Sequence, residues 1–303
     1  MRPAAIAALL ALAPALPAAA AAPVRFRGMD ARRLDAALAS IDAANPSLRG
    51  RIEAVSAALL GTPYVLGPLG EGPGGRFDRD PLMSFDALDC TTFVEETMAL
   101  SLSPDLASAK ALLQRIRYKD GRIAYASRNH FTSADWVPNN AAAGFLRDVT
   151  REIAGADVEV ASKTISKRAW YAKKTLADLQ GLDSLTPAQR DERLKELRAL
   201  GAAMPDETVS LPYLPIALLP RYASRIPSGT IANLVRADQP DKPVLVSHQL
   251  LIVDVGGVPY AREAAWKQEV KDVPLLDYFK IYDGSKWPLL GLNLNEILPR
   301  PDR

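Results

Sequence analysis

Asp89-Cys90-Thr91-Thr92-Phe93-Val94-Glu95-Glu96 runs on through Met98, Leu100 and Leu102, and it reads as a capped helix start. Aspartate is a favoured N-cap residue, carboxylates lie early in the run, and apolar side chains follow at helical spacing. Cys90 therefore falls in the first turn. Unpaired N–H groups and the partial positive charge of a helix start stabilise a thiolate there, and the same N–H groups can donate to an oxyanion. The competing reading is a thiol that packs beside Phe93 and Val94 on the inner face. Cys90 is the only cysteine, and His130 and His248 are the only histidines, in 303 residues. A disulfide scaffold and a cysteine-rich zinc site are thereby excluded.

Upstream, Gly61 to Asp80 carries eight glycines and prolines between Pro63 and Gly75. So many helix and strand breakers imply a long loop in front of the Cys90 helix, and long loops are often functional. Two amphipathic helices precede it. One opens at Asp30 and runs through Leu34, Leu38 and Ile41; the other opens at Ser47 and runs through Ile52, Val55 and Leu59 to a stop at Gly61. Further back, Met1-Arg2 is followed by an Ala/Leu run broken by Pro14 and Pro17. This has the form of a signal peptide over residues 1–22, so the mature chain is expected to be exported, periplasmic and without an integral membrane span. An oxidising compartment sharpens the meaning of a lone thiol: without a partner it is buried or used.

The remaining composition is that of an ordinary globular chain, 48% hydrophobic and 24% charged. A net charge of +2 gives little long-range attraction to polyanions, and no nucleic-acid partner is expected. Downstream of the Cys90 helix, Ser103-Pro104 reads as cap and first position of another helix through Leu106, Leu112 and Ile116, and Ile123-Ala124-Tyr125 as a short strand. The polar and aromatic cluster Arg128-Asn129-His130-Phe131, Asp135-Trp136 and Asn139-Asn140 suits a pocket rim. For His130 alone, a hydrogen-bonded structural role and a substrate contact are equally open. Residues 156–207 turn rich in lysine, arginine and glutamate of alternating sign and read as a helical insertion, with Thr186-Pro187-Ala188-Gln189 opening a helix.

Beyond the insertion the pattern changes to strands, Thr230 to Arg236 and Val244 to Val255. The second is apolar on both faces and is expected to be central in a sheet. His248 sits within it and needs a hydrogen-bonding partner if buried. A returning antiparallel strand after Gly256-Gly257 carries candidates for that partner in Tyr260-Ala261-Arg262-Glu263. A thiol needs a base, and a base needs an orienting group. Cysteine at a helix start after an open loop, followed much later by histidine on a strand, is the layout of papain-like thiol hydrolases.

The motifs also resemble a family. Gly61-Thr62-Pro63-Tyr64, the Asp89–Glu95 run, Arg128-Asn129-His130-Phe131, Asp135-Trp136, Asn139-Asn140, Ser247-His248 and the tail Val270 to Tyr278 are similar to the bacterial N-acetylmuramoyl-L-alanine amidase-like family of the NlpC-type cell-wall peptidase superfamily. The resemblance implies an α+β, papain-like fold in one domain over 23–303, the nucleophile helix packed on an antiparallel sheet. It implies Cys90 as nucleophile and His248 as base toward the amide joining N-acetylmuramic acid to L-alanine, in peptidoglycan or muropeptides. It further implies that Tyr64 and Asp89 belong to the site and that His130 positions substrate together with Arg128, Trp136 and Asn140. No metal or organic cofactor is expected.

Two departures from that pattern bear on the site. Relatives carry a small residue and glycine after the base, where this chain has Gln249-Leu250-Leu251, and a histidine-alanine pair where it has Glu263-Ala264. Glu263 is preferred over Arg262 as the third group, since a carboxylate accepts the imidazole N–H and stabilises the imidazolium, whereas a guanidinium opposes it. Alternatives are a stem-peptide endopeptidase, an acyl transferase to amines, and a catalytically inactive cell-wall-binding protein.

Overall fold

The computed structural model describes residues 23–300, so the expected signal peptide lies outside the described residues. Among them, no helix is long and apolar enough to cross a membrane. The N-terminal half is helical. Asp30 caps α1 (Ala31–Ala44), Ser47 caps α2 (Leu48–Ala58) and Asp89 caps α3 (Cys90–Ser101), each with its side-chain oxygen accepting a first-turn N–H. The next helix, α4 (Leu106–Arg117), starts two residues later than Ser103-Pro104 suggests, because Asp105 is the residue whose carboxylate takes the Ser108 N–H, at 2.7 Å. A carboxylate cap outcompetes the proline signal here. Nor is Ile123-Ala124-Tyr125 a strand: Tyr125–Ser127 forms a 3-10 turn held by Ser127 Oγ, which donates to the Ala124 carbonyl.

Eight strands follow: β1 (Leu146–Asp148), β2 (Glu159–Ser166), β3 (Asp206–Pro215), β4 (Thr230–Arg236), β5 (Val246–Val255), β6 (Val258–Ala264), β7 (Val270–Pro274) and β8 (Leu289–Ile297). They pair antiparallel in the order β2-β3-β8-β4-β5-β6-β7, with β1 also on β8. This is the α+β architecture. The apolar-both-faces pattern of β5 has its cause here. Leu251 and Val253 pack with α1 to α4 on one side, while Leu250 and Ile252 pack with Leu275, Tyr278 and Leu292 on the other. Gly256 and Gly257, at φ 64° and 85°, make the β5–β6 turn, a conformation that costs glycine little.

Residues 156–207 are not a purely helical insertion. They contain helices Lys167–Ala172 and Pro187–Ala199, the latter with the Thr186/Gln189 capping box, but they open with β2, paired along its whole length with β3. The strand is hard to see in the sequence because Lys163 occupies an inward position between Ala161 and Ile165, its charge met by Asp238. One irregularity matters for the site. Asn233 pairs with Gln249 and Val235 with Val246, so β5 takes three steps where β4 takes two and bulges at Ser247–His248. Bulges bend a strand and re-aim its side chains, and they recur beside active sites.

Candidate active site

The start of α3 is held from both directions. Asp89 Oδ1 accepts the Thr92 N–H at 2.8 Å and Thr92 Oγ1 accepts the Asp89 N–H at 2.8 Å, a reciprocal capping box. The other Asp89 oxygen accepts the Gly67 N–H at 3.0 Å. Leu88 is laced to Pro63 and Val65 by main-chain hydrogen bonds. The glycine- and proline-rich loop is thus tied to the helix start, and Asp89 acts by fixing Cys90 in place rather than by lining the cleft. With the Thr92 N–H taken by Asp89 and the Phe93 N–H by the Asp89 carbonyl, no partner takes the N–H groups of Cys90 and Thr91 among the described residues.

Cys90, His248 and Glu263 meet in a cleft of about 640 Å³. His248 Nε2 lies 2.6 Å from Glu263 Oε2, and the imidazole is electrostatically coupled to Cys90 across the cleft. The same Oε2 accepts from the Tyr278 hydroxyl at 2.8 Å, and that hydroxyl contacts the Tyr282 hydroxyl at 3.2 Å. Burial works against charge on His248, but the interactions with Cys90 and with the Glu263 carboxylate outweigh it and raise the imidazole from 6.5 to about 10. Arg262 is the neighbour that does not reach the base. Alternation along β6 sends it the other way, where it pairs with Asp272 at 2.7 Å and bonds Ser56 and the Glu53 carbonyl on α2. Gln249 is likewise turned away from the cleft, donating to buried Asn233 at 2.9 Å, so its bulk does not narrow the site.

Of the other residues singled out in the sequence, Tyr64 lines the cleft, edge-on to Trp266 with ring centroids 5.2 Å apart. Burial, then the charges of Cys90 and Asp89, push its phenol upward, so it stays a protonated donor. Arg128, His130, Trp136 and Asn140 are not brought to Cys90. Trp136 is fully buried and donates to Glu95 Oε1 at 3.1 Å, while Arg117 donates to the other Glu95 oxygen at 2.7 Å. Asn140 donates to the carbonyls of Ile116 and Trp136. These two are the scaffold beneath α3 and α4, the physical content of the glutamate in the Cys90 motif. Arg128 pairs with Asp78, and His130 bonds the Tyr125 carbonyl between the rings of Tyr125 and Trp170. Both line a separate cavity of about 440 Å³. Burial, then the Arg128 charge, holds His130 well below 6.5, hence neutral. The pocket-rim reading thus holds for Arg128, Asn129, His130, Phe131, Asp135 and Asn139, which line this second cavity and not the cleft of Cys90, while Trp136 and Asn140 are buried scaffold.

Residues that sequence reasoning missed also line the cleft: Arg236, Trp266, Tyr278 and Tyr282. An arginine closing a fully buried strand, Thr230–Arg236, was the one available signal.

A strand-borne imidazole lies between a helix-start cysteine and a buried carboxylate, within an α+β fold, an arrangement that suits nucleophilic acyl transfer. The chain belongs to the AmiA-like, N-acetylmuramoyl-L-alanine amidase-like family, whose model matches residues 54–284. A Legionella pneumophila protein known by the family model DUF1460 is 29% identical, covering 89% of this chain and 97% of its own, at a TM-score of 0.81. An N-acetylmuramoyl-L-alanine amidase from Bacteroides uniformis is 26% identical over 83% of this chain and 99% of its own, at a TM-score of 0.58. A Bacteroides fragilis protein named as a candidate xylanase gives 25% identity over 80% and 99%, at 0.58. No curated protein matches. Family and neighbours support an amidase-like hydrolase.

Proposed function

We propose that this chain is a cysteine-dependent hydrolase of peptidoglycan or its muropeptide fragments that cleaves the amide between N-acetylmuramic acid and L-alanine, acting after export, in the periplasm. The observation that carries this is the contact series Cys90–His248–Glu263 in the cleft, within a family of amidase-like proteins. Cys90 Sγ attacks the lactyl carbonyl carbon, and the N–H groups of Cys90 and Thr91 stabilise the oxyanion. His248 delivers its proton to the alanine nitrogen as the C–N bond breaks, then takes a proton from the water that opens the thioester. Glu263 holds the ring and balances the imidazolium. A xylanase activity, by contrast, requires two carboxyl groups flanking a glycosidic bond, whereas Glu263 is committed to His248 and Tyr278.

Mass spectrometry of a mixed muropeptide digest tests the reading, with the mature protein and Cys90→Ala side by side. Free stem peptide plus intact sugar, absent with the variant, is the expected result. Cuts within the stem would move the specificity to an endopeptidase, and binding without turnover would leave a cell-wall-binding protein.

A further inference from the structure

The cleft holds a buried cation with no counter-ion. Arg236, the last residue of β4, is 8% exposed and lines the same cleft as Cys90 and His248. Its Nε donates to Ser247 Oγ at 2.8 Å and its Nη1 to the Trp287 carbonyl at 2.7 Å. The guanidinium carbon lies 4.6 Å from the centre of the Tyr282 ring and 5.2 Å from that of Trp287. Nothing anionic is among these partners. Arg117 and Arg262, equally buried, each pair with a carboxylate at 2.7 Å, as does Arg128 with Asp78 at 3.0 Å. The carboxylates of the cleft are spoken for: Glu263 by His248 and Tyr278, Asp277 by Lys280. Arg236 therefore keeps Nη2 free of a protein partner among the described residues. Burying a cation without an opposing charge is costly. Here the rings and two hydrogen bonds hold its plane fixed at the cleft wall, with one edge left to bind.

We propose that Arg236 is the anion-recognition residue of this cleft, binding a substrate carboxylate close to the scissile amide. A guanidinium suits that task because its planar fork meets a carboxylate with two N–H donors. The placement is specific. Arg236 bonds Ser247, the neighbour of His248, and lines the same cleft as Cys90, so a charge bound there lies beside the reacting groups. The inference rests on the amidase reading for the identity of the carboxylate. In a peptidoglycan stem the residue after L-alanine is a γ-linked glutamate, whose α-carboxylate is the first anion beyond the cleaved bond. The enzyme is thus selective for stems in which that carboxylate is free rather than amidated.

A matched pair of muropeptides, identical except for a carboxylate or a carboxamide at that position, tests this with wild type, Arg236→Lys and Arg236→Met. The wild type is expected to favour the free acid by about 10- to 100-fold in kcat/KM, expressed mainly in KM. Arg236→Met is expected to bring that ratio close to one, and Arg236→Lys to keep part of it. A wild type indifferent to amidation, or a methionine variant that retains the preference, overturns the proposal. If Arg236→Met does not fold, the wild-type ratio and the lysine variant still decide. Should the wild type hydrolyse neither compound, the amidase reading fails on its own. Calorimetric binding of the same two probes then judges Arg236: tighter binding of the acid supports it, equal binding overturns it.

Discussion

Replacing Glu263 by glutamine removes one charge and almost no volume, which makes it a direct probe of how the site holds its proton. The Oε2 of Glu263 receives two hydrogen bonds, from His248 at 2.6 Å and Tyr278 at 2.8 Å, in a residue only 6% exposed. Hydrogen bonds to a charged partner are worth about 1.5–3 kcal/mol against about 0.5–1.5 for neutral ones. The His248 bond losing its charge therefore removes about 1–1.5 kcal/mol of support for the imidazolium. At about 1.4 kcal/mol per pH unit, that moves the His248 titration from about 10 toward neutrality by about one unit. The sign follows from the raised value. The stability contributed by the charged imidazole is complete below its ordinary 6.5 and is lost as pH rises through about 10, and the charge itself persists to that upper limit, so the variant loses its alkaline plateau first. Turnover of a muropeptide is expected to change little at pH 7 and to fall several-fold below wild type near pH 10, above the variant's shifted titration. Iodoacetamide labelling of Cys90 across pH 5–11 locates the shift in the same samples. An alkaline limb in the same place as wild type, with kcat/KM unchanged near pH 10, would refute the assignment of Glu263 and return the third role to another group.

Arg117→Met strands buried Glu95 without its ion-pair partner and is expected to cost about 3–5 kcal/mol, or roughly 6–20 °C in Tm, measured by calorimetry. Asp89→Ala removes both the Thr92 cap and the Gly67 anchor and is expected to destabilise by about 1–2 kcal/mol in urea titrations, with Asp89→Asn, which can still cap, recovering most of it. Glu71, buried beneath the loop with one oxygen unpartnered, is raised from 4.5 to about 7 by burial and then by Asp78. Because the folded protein holds that proton more tightly, its contribution to stability is complete below 4.5 and is lost as pH rises through about 7. Glu71→Gln is expected to flatten the wild-type fall in urea midpoint between pH 5 and 8, and an unchanged slope would exclude Glu71 as its source.

What the sequence made legible was local chemistry. Asp30, Ser47, Asp89 and Thr186 each mark a helix start because capping is decided within four residues. The double-sided apolar run of β5 announced a central strand, and the choice of Glu263 over Arg262 required only the sign of a charge. Alternation along β6 sends the two side chains to opposite faces, Glu263 to His248 and Arg262 to Asp272. What stayed hidden depends on pairing between distant segments. The β5 bulge exists only relative to β4, β2 is recognisable only once Asp238 neutralises Lys163, and the motif residues Arg128 to Asn140 could not be sorted into cleft and scaffold until Glu95 was seen to bind Trp136 and Arg117.

That sorting changes what the family's motif means physically. Cys90 and Glu95 lie on one helix, five residues apart, and so point in different directions: the thiol into the cleft, the carboxylate into the junction with α4 and the Trp136 segment. The helix is thereby gripped at its buried face while its first turn stays open, held by Asp89 to the loop and faced by the bulged strand. A nucleophile must be positioned to a fraction of an ångström against its base. Two ties, one at the cap and one a turn further in, suppress both tilt and rotation of α3, which a cap alone would leave free. Weakening the inner tie should accordingly reach the chemistry through position rather than through charge. In Trp136→Phe, which deletes the indole N–H donor to Glu95 together with part of a fully buried ring, kcat for the muropeptide amide is expected to fall a few-fold with the His248 alkaline limb unmoved, and a displaced limb with unchanged kcat would show that the junction acts on the site's electrostatics instead.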